Sequence, residues 1–306
     1  MNASNTLLVR TAEPRTRSGL RTSALAPTFG VQIHGVQLAS LSEREFAELH
    51  ALWRANGAML VRGQDAMSDA QFEAFSARFG ELDPPPNQGV GRKHVPGFPN
   101  LYVVSNEKDA AGEPLGALGY GEAVWHTDMS YLPVPPIASM LLARKLPAFG
   151  GNTSVASMCA AYENLPRGLK ERARNIWIKH DGTRDSGGNL RKGMVDDDDP
   201  VTSPGHPHPA VIRDPGTGMP ALFLGRRPRA VVVGLPLAES ETLLDELWRW
   251  AIQPANVYEH PWRVGDVLIW SNYSTMHRRD EFDGKTIRRM HRSQIKGTSA
   301  PAAYFQ

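Results

Sequence analysis

Apolar residues recur along this chain at two periods, every third to fourth position and every second position, and the two periods divide it into helices and strands. Ser42-Glu43-Arg44-Glu45 reads as a capping box opening a helix whose stripe is Phe46, Leu49, Leu52 and Trp53 and whose end is Gly57. Ser68 with Gln71 caps a second helix, with Phe72, Phe75 and Phe79 on one face before Gly80. A third is expected from about Ala238 to Ile252, with Leu243, Leu244, Leu247 and Trp248 inward, and a helical region through Leu169 to Arg174. Strand patterns fill the intervals: 28–38 broken at Gly30 and Gly35, 58–61, 137–146, 153–156, 176–180, 266–270 and 286–295. A hairpin, 209–213 with 221–224, flanks the turn Asp214-Pro-Gly-Thr-Gly218. The Gly150-Gly151 turn is expected to return 153–156 as the partner of 137–146. Many short strands with a few helices between them predict an α+β fold. With no internal repeat and no interdomain linker, one domain is expected over 27–306, after a flexible tail over 1–26 that is rich in Arg, Ser and Thr and poor in acids.

Several segments break the pattern. Pro84-Pro-Pro-Asn-Gln-Gly-Val-Gly91 cannot continue a helix, and residues 106–121 are punctuated by glycine and proline, so 84–98 and 106–121 are expected as loops that cover the substrate side of a site. The polar stretch 181–209, with Asp196-Asp-Asp-Asp199 and His206-Pro-His208, reads as a lid insertion. The acidic run lacks the spaced oxygen ligands and turn glycine of a calcium loop, so it is taken as a solvated segment.

Candidate chemistry sits next to these breaks. Trp125-His126-Thr127-Asp128 reads as strand, which would put His126 and Asp128 on one face with Cα atoms roughly 6.6 Å apart. Asp266 to Trp270 is a strand pattern that runs into Ser271-Asn-Tyr-Ser-Thr-Met-His277. Two imidazoles and a carboxylate on one side of a metal leave the other side open, as in mononuclear non-haem Fe(II) oxygenases. Alternation in 286–295 places Arg288, Met290 and Arg292 on one face, and guanidinium forks suit carboxylate ligands. Singly, each feature has a plainer reading: a surface His-x-Asp, a structural histidine, a basic edge strand. Their joint order and spacing favour a site. His180 falls outside this set and reads as structural.

Charge and composition narrow the classes. A formal charge of +2 over 306 residues argues against nucleic-acid binding by bulk electrostatics. No apolar run approaches about 18 residues, so no membrane span is expected. The single cysteine, Cys159, excludes an internal disulfide, fits a cytoplasmic setting and has no neighbouring histidine in sequence to make it a nucleophile. Homo-oligomerisation is left open.

Taken together, WHTDMSYLPVPP (125–136), Gly150-Gly151-Asn152-Thr153, Asn272 to His277, and RRMHR (288–292) resemble the Fe(II)/2-oxoglutarate-dependent dioxygenases of the taurine dioxygenase and 2,4-dichlorophenoxyacetate dioxygenase family, over residues 27 to 297. The resemblance implies a double-stranded β-helix, or jelly-roll, core buttressed by helices. It implies that His126, Asp128 and His277 bind iron, that Arg288 and Thr153 hold the distal carboxylate of 2-oxoglutarate, and that O2 is the second co-substrate. Arg292, with Tyr131, is then the candidate contact for a small anionic substrate. Asn152 stands where the family usually has Asp, a departure expected to lie away from the ligands. The implied reaction decarboxylates 2-oxoglutarate to succinate and CO2 and hydroxylates the substrate, with or without subsequent cleavage. A zinc hydrolase would leave the two arginines and the GG-x-T turn unexplained, and a non-catalytic ligand-binding barrel that retained the sequence pattern is the other alternative.

Overall fold

The computed structural model describes residues 19–84, 94–118, 123–195 and 199–305. Within them both expected capping boxes form: the Ser42 and Ser68 side chains accept from the backbone N–H of Glu45 and Gln71, and those side chains reach back. The helices are Glu43–Asn56 and Asp69–Ala77, and a longer one, Leu237–Ala251, turns Leu243, Leu244, Leu247 and Trp248 inward as its periodicity predicts. No helix among the described residues is long and apolar enough to cross a membrane.

The strands form a mixed α/β architecture with two principal sheets. The larger has nine strands, and its central members are Ala58–Val61, Val267–Ser271, Ala138–Lys145, Arg289–Ile295 and Phe98–Ser105, in that order. The smaller runs Val257–His260, Thr153–Ser157, Thr275–Arg279, Ala123–His126. Ala138–Lys145 shows how the layers divide. Alternate side chains of a strand point to opposite faces. Ala138, Met140 and Leu142 pack with Leu49, Trp53, Phe72 and Phe75 of the two N-terminal helices, whereas Leu141 and Ala143 pack with Trp270, Met290 and, from the smaller sheet, Val155. Both faces are covered, which is why this strand is a continuous apolar run. A third core cluster joins Leu237–Ala251 to the 211–213 and 220–222 hairpin, which forms as expected.

Four expectations change. The strands around Gly150-Gly151 are not partners: Ala138–Lys145 belongs to the larger sheet and Thr153–Ser157 to the smaller, so the turn carries the chain between layers. Arg21–Ala24 pairs with Val31–His34, which draws residues expected in the tail into the domain and moves its start before residue 27. The strand at His126 stops there, and Asp128 lies in the turn that follows. The 181–209 stretch is partly sheet, since Trp177–Asp181 and Gly205–Pro209 pair as antiparallel strands around it. Residues 196–198 of the acidic run, 85–93 of one expected loop and 119–121 of the other lie outside the described residues. The remainder of those loops is partly ordered, with a strand at His94–Val95 and another at Ala117–Leu118 beside Phe98–Ser105.

Phe72 is fully buried between helix and sheet, whereas Phe149 is 88% exposed. Phe72→Ala is expected to cost about 3–5 kcal/mol of unfolding free energy. Phe149→Ala should change it by no more than about 0.5 kcal/mol. Urea unfolding of the two variants measures the difference.

Candidate metal centre and the cavities beside it

His126 and His277 are direct register partners on neighbouring strands of the smaller sheet, which brings their ring centroids to 4.2 Å. Asp128 reaches the same point from the turn after His126. That turn is held by the Thr127 N–H donating to the Gly225 carbonyl at 2.9 Å and by Met129 in the left-handed region at φ 49°. Asp128 Oδ1 lies 3.6 Å from His126 Nε2 and 3.8 Å from His277 Nε2. These gaps are too long for good hydrogen bonds. They suit atoms that each sit about 2.0–2.2 Å from a shared ion.

The remaining valences agree with that fit. His126 Nδ1 lies 2.7 Å from the Val124 carbonyl and donates to it, so Nε2 carries the lone pair. Asp128 Oδ2 accepts from Ser139 Oγ at 2.7 Å and pairs with Arg292, leaving Oδ1 for a metal. Burial alone would raise the Asp128 carboxyl, but the Arg292 guanidinium beside it holds it well below the usual carboxylate range. Burial, reinforced by His126, pushes His277 well below the ordinary imidazole value, so its ring is neutral and able to ligate. Two imidazoles and one carboxylate make a donor set that fits a divalent iron.

Two cavities meet at this point, and Arg292 and His126 line both. The first is also walled by Thr153, Trp270, Arg279 and Arg288. Arg288 is 2% exposed; its Nε donates to the Gly151 carbonyl at 3.0 Å, while Nη2 is buried without a hydrogen-bond partner. Burial and the nearby Arg279 push its guanidinium down to about 9. Thr153 faces Arg279 in the register and accepts from Trp262 Nε1 at 3.0 Å. Gly151 has φ +68°, and a Cβ there would meet Arg288 Cδ at 2.9 Å, so the second glycine lets this arginine pass. Asn152 points away and donates to Glu259.

The second cavity is walled by Tyr102, Tyr131, Asp181, Arg184, Arg191 and Arg226. Asp181 pairs with Arg226 at 2.8 Å and accepts from Thr183 and Ser203. Arg191 lies over the Tyr131 ring, 4.4 Å from its centroid. All seven residues expected from sequence therefore border this region, with Tyr131 on its outer wall. Sequence reading missed Tyr102, Ser139, Asp181 and Arg226. Ser139 alone left a signal, as the polar residue interrupting an apolar strand. Two aromatics of the same motifs lie elsewhere: Tyr273 is core, with its hydroxyl donating to the Ser299 carbonyl at 2.7 Å, and Trp125 packs near Arg278. His180 is buried against Phe223 and His208, outside the metal set. Burial and the nearby Asp214 push the Cys159 thiol up to about 12, which removes it as a nucleophile.

Comparison with known proteins supports the geometry. The taurine catabolism dioxygenase TauD, TfdA family matches residues 21–294. An (S)-phenoxypropionate/alpha-ketoglutarate-dioxygenase of Delftia acidovorans is 30% identical over 91% of this chain and 95% of its own. A crystal structure of a taurine dioxygenase from Burkholderia xenovorans superposes with a TM-score of 0.73 at 28% identity, covering 91% of this chain and 89% of that one. The structure of AAD-2 in complex with Mn(II) and N-oxalylglycine gives 0.73 at 27% identity, covering 92% and 99%. The chain belongs to the taurine catabolism dioxygenase TauD, TfdA family of 2-oxoglutarate-dependent dioxygenases.

Proposed function

We propose that this enzyme couples the oxidative decarboxylation of 2-oxoglutarate, to succinate and CO2, with hydroxylation of a small organic anion, at a centre where His126, Asp128 and His277 hold Fe(II). The observation that carries this reading is a three-donor site beside a buried, uncompensated cation. Nη2 of Arg288 is buried without a hydrogen-bond partner, and among the described residues no carboxylate lines its cavity. A buried cation of this kind is costly until an anion joins it. The distal carboxylate of 2-oxoglutarate, with Thr153 beside it, supplies that anion. The two principal sheets facing each other across the site read as a double-stranded β-helix with helices against the larger sheet.

When bound, Fe(II) supplies the activation of O2 and the oxidation of a substrate C–H bond. The chain's own residues position and exclude water. Arg288 and Thr153 fix one end of the co-substrate and thereby its reacting end near the ligand nitrogens. Arg292 borders both cavities, and its Nε is buried without a partner, so it can meet an anionic group while Nη2 stays on Asp128. Tyr131 and Tyr102 give the outer cavity aromatic walls. Asp128 and Asp181, the carboxylates bordering the outer cavity among the described residues, are both committed to arginines, which leaves no general base for a hydrolase. Relatives named for phenoxypropionate and for 2,4-dichlorophenoxyacetate, and one named alkylsulfatase, support a carboxylate, sulfonate or sulfate on the substrate. The insertion after Asp181 would serve as the lid over that substrate. A cytoplasmic location fits the lone cysteine.

His126→Ala is expected to lose both Mn(II) binding, read by calorimetry, and substrate-dependent succinate release. Normal succinate release would sink the assignment. Arg288→Met should leave the ligand-free protein equally or more stable, because it removes an uncompensated buried charge. In wild type, 2-oxoglutarate with Mn(II) at about 100 times Kd should add about 2.7 kcal/mol of stability. Thermal unfolding of the variant should show no such increment. Substrate-dependent succinate release over a panel of aryloxyalkanoates, alkyl sulfates and sulfonates, each beside its neutral amide or alcohol, should select anions, and Arg292→Gln should shrink that preference at least tenfold.

A further inference from the structure

We propose that Ser139 is the positioning residue of the metal carboxylate: held by Arg292 and Asn272, its hydroxyl donates to Asp128 Oδ2 and so presents Oδ1 as the single oxygen for a metal. This rests on the metal centre described above and assigns a role to a residue outside the ligand set.

Ser139 is fully buried on Ala138–Lys145, where Trp270 is its register partner on one side and Gln294 on the other. It shares a strand face with Leu141 and Ala143, the face turned towards the smaller sheet. A buried hydroxyl among such neighbours persists when its hydrogen bonds are complete.

Here the bonds also dictate direction. A serine oxygen offers two lone pairs and one hydrogen. Arg292 Nη2 donates to Ser139 Oγ at 3.1 Å and Asn272 Nδ2 at 3.2 Å, which fills the lone pairs, and Gln294 Nε2 approaches as a third, longer donor at 3.4 Å. Neither donor can reverse: guanidinium has no acceptor, and the Asn272 amide is oriented because its Oδ1 accepts from Trp270 Nε1 at 3.1 Å while Nδ2 also reaches the Pro136 carbonyl at 3.1 Å. The hydroxyl hydrogen therefore goes to Asp128 Oδ2, at 2.7 Å. Arg292 pairs with the same oxygen. With Oδ2 occupied twice, the carboxylate can neither swing nor chelate through both oxygens. It takes one coordination position, and room is left for a two-point co-substrate.

Mn(II) titration of the folded protein, followed by calorimetry, tests this with wild type, Asp128→Ala, Ser139→Ala and Ser139→Cys. Outer groups that orient ligands typically change metal affinity 10–100-fold. Ser139→Ala is expected to weaken Mn(II) binding by that factor, with thermal unfolding in the absence of metal reporting that the fold is kept. Ser139→Cys keeps a side chain in place but offers a weak donor, and it should also bind at least tenfold more weakly; it carries the test if the alanine variant does not fold. Affinity within twofold of wild type in either folded variant would overturn the proposal. Failure of wild type to bind Mn(II) would instead remove the metal centre itself, and this role with it.

Discussion

Everything at the centre of this molecule depends on charge held where water does not reach. Asp128, Arg279, Arg288 and Arg292 are each less than 10% exposed, and they line two adjoining cavities that share Arg292 and His126. Desolvating such groups costs several kcal/mol apiece unless partners restore what water gave. Asp128 and Arg292 neutralise each other, which explains why the carboxyl stays ionised despite burial. The guanidinium groups of Arg279 and Arg288 are pushed down by burial to about 10 and about 9. The centre is thus electrostatically incomplete in a specific direction: a dication suits the His–Asp–His donors, and a carboxylate suits Arg288 behind them, whose Nη2 is buried without a hydrogen-bond partner. The protein invests folding stability in a site that its ligands complete.

The sheets make that arrangement possible by supplying register. Antiparallel pairing of Thr275–Arg279 with Ala123–His126 sets two imidazoles side by side without help from a loop. On its other edge, Thr275–Arg279 pairs with Thr153–Ser157, so Thr153 lands opposite Arg279 and one strand links the metal to the co-substrate end. The larger sheet contributes Ser139, Trp270 and Arg292 on adjacent strands. Rigid elements place the chemistry, and the Gly150-Gly151 crossing adds the space that Arg288 needs.

How much of this could be read from sequence follows from how local each feature is. The capping boxes at Ser42 and Ser68 involve residues three apart and were readable in full. That His126, Asp128, His277, Thr153, Arg288 and Arg292 come together was readable from motif order, although no residue-level pattern shows that His126 opposes His277 in a sheet. The Gly150-Gly151 turn misled, because positive-φ glycines serve a hairpin and a crossing between layers equally well, and the choice of partner strand is non-local. The strand was drawn through Asp128 since Thr127 is a good strand former; the tie to the Gly225 carbonyl, contributed 98 positions downstream, ends it instead. The Asp128 to Arg292 pair was beyond reach for the same reason.

That non-locality also separates what the site does from what it acts on. His126 forms an isolated backbone bridge with Arg226, and Arg226 carries the buried ion pair to Asp181 at the root of the insertion. The wall of the outer cavity is therefore fastened to the metal strand at two points, through Arg226 and through the Val124 N–H donating to the Ser186 carbonyl at 3.1 Å, while Arg191 reaches it from the insertion. Changes at Arg184 or Arg191 can reshape the wall while the anchor at Asp181, satisfied by Thr183, Ser203 and Arg226, stays in place; Ser186, by contrast, is tied to the metal strand through Val124. Strand register and buried charge place the donors, and the wall of the outer cavity is built on a separate segment tied to them at Arg226 and Ser186.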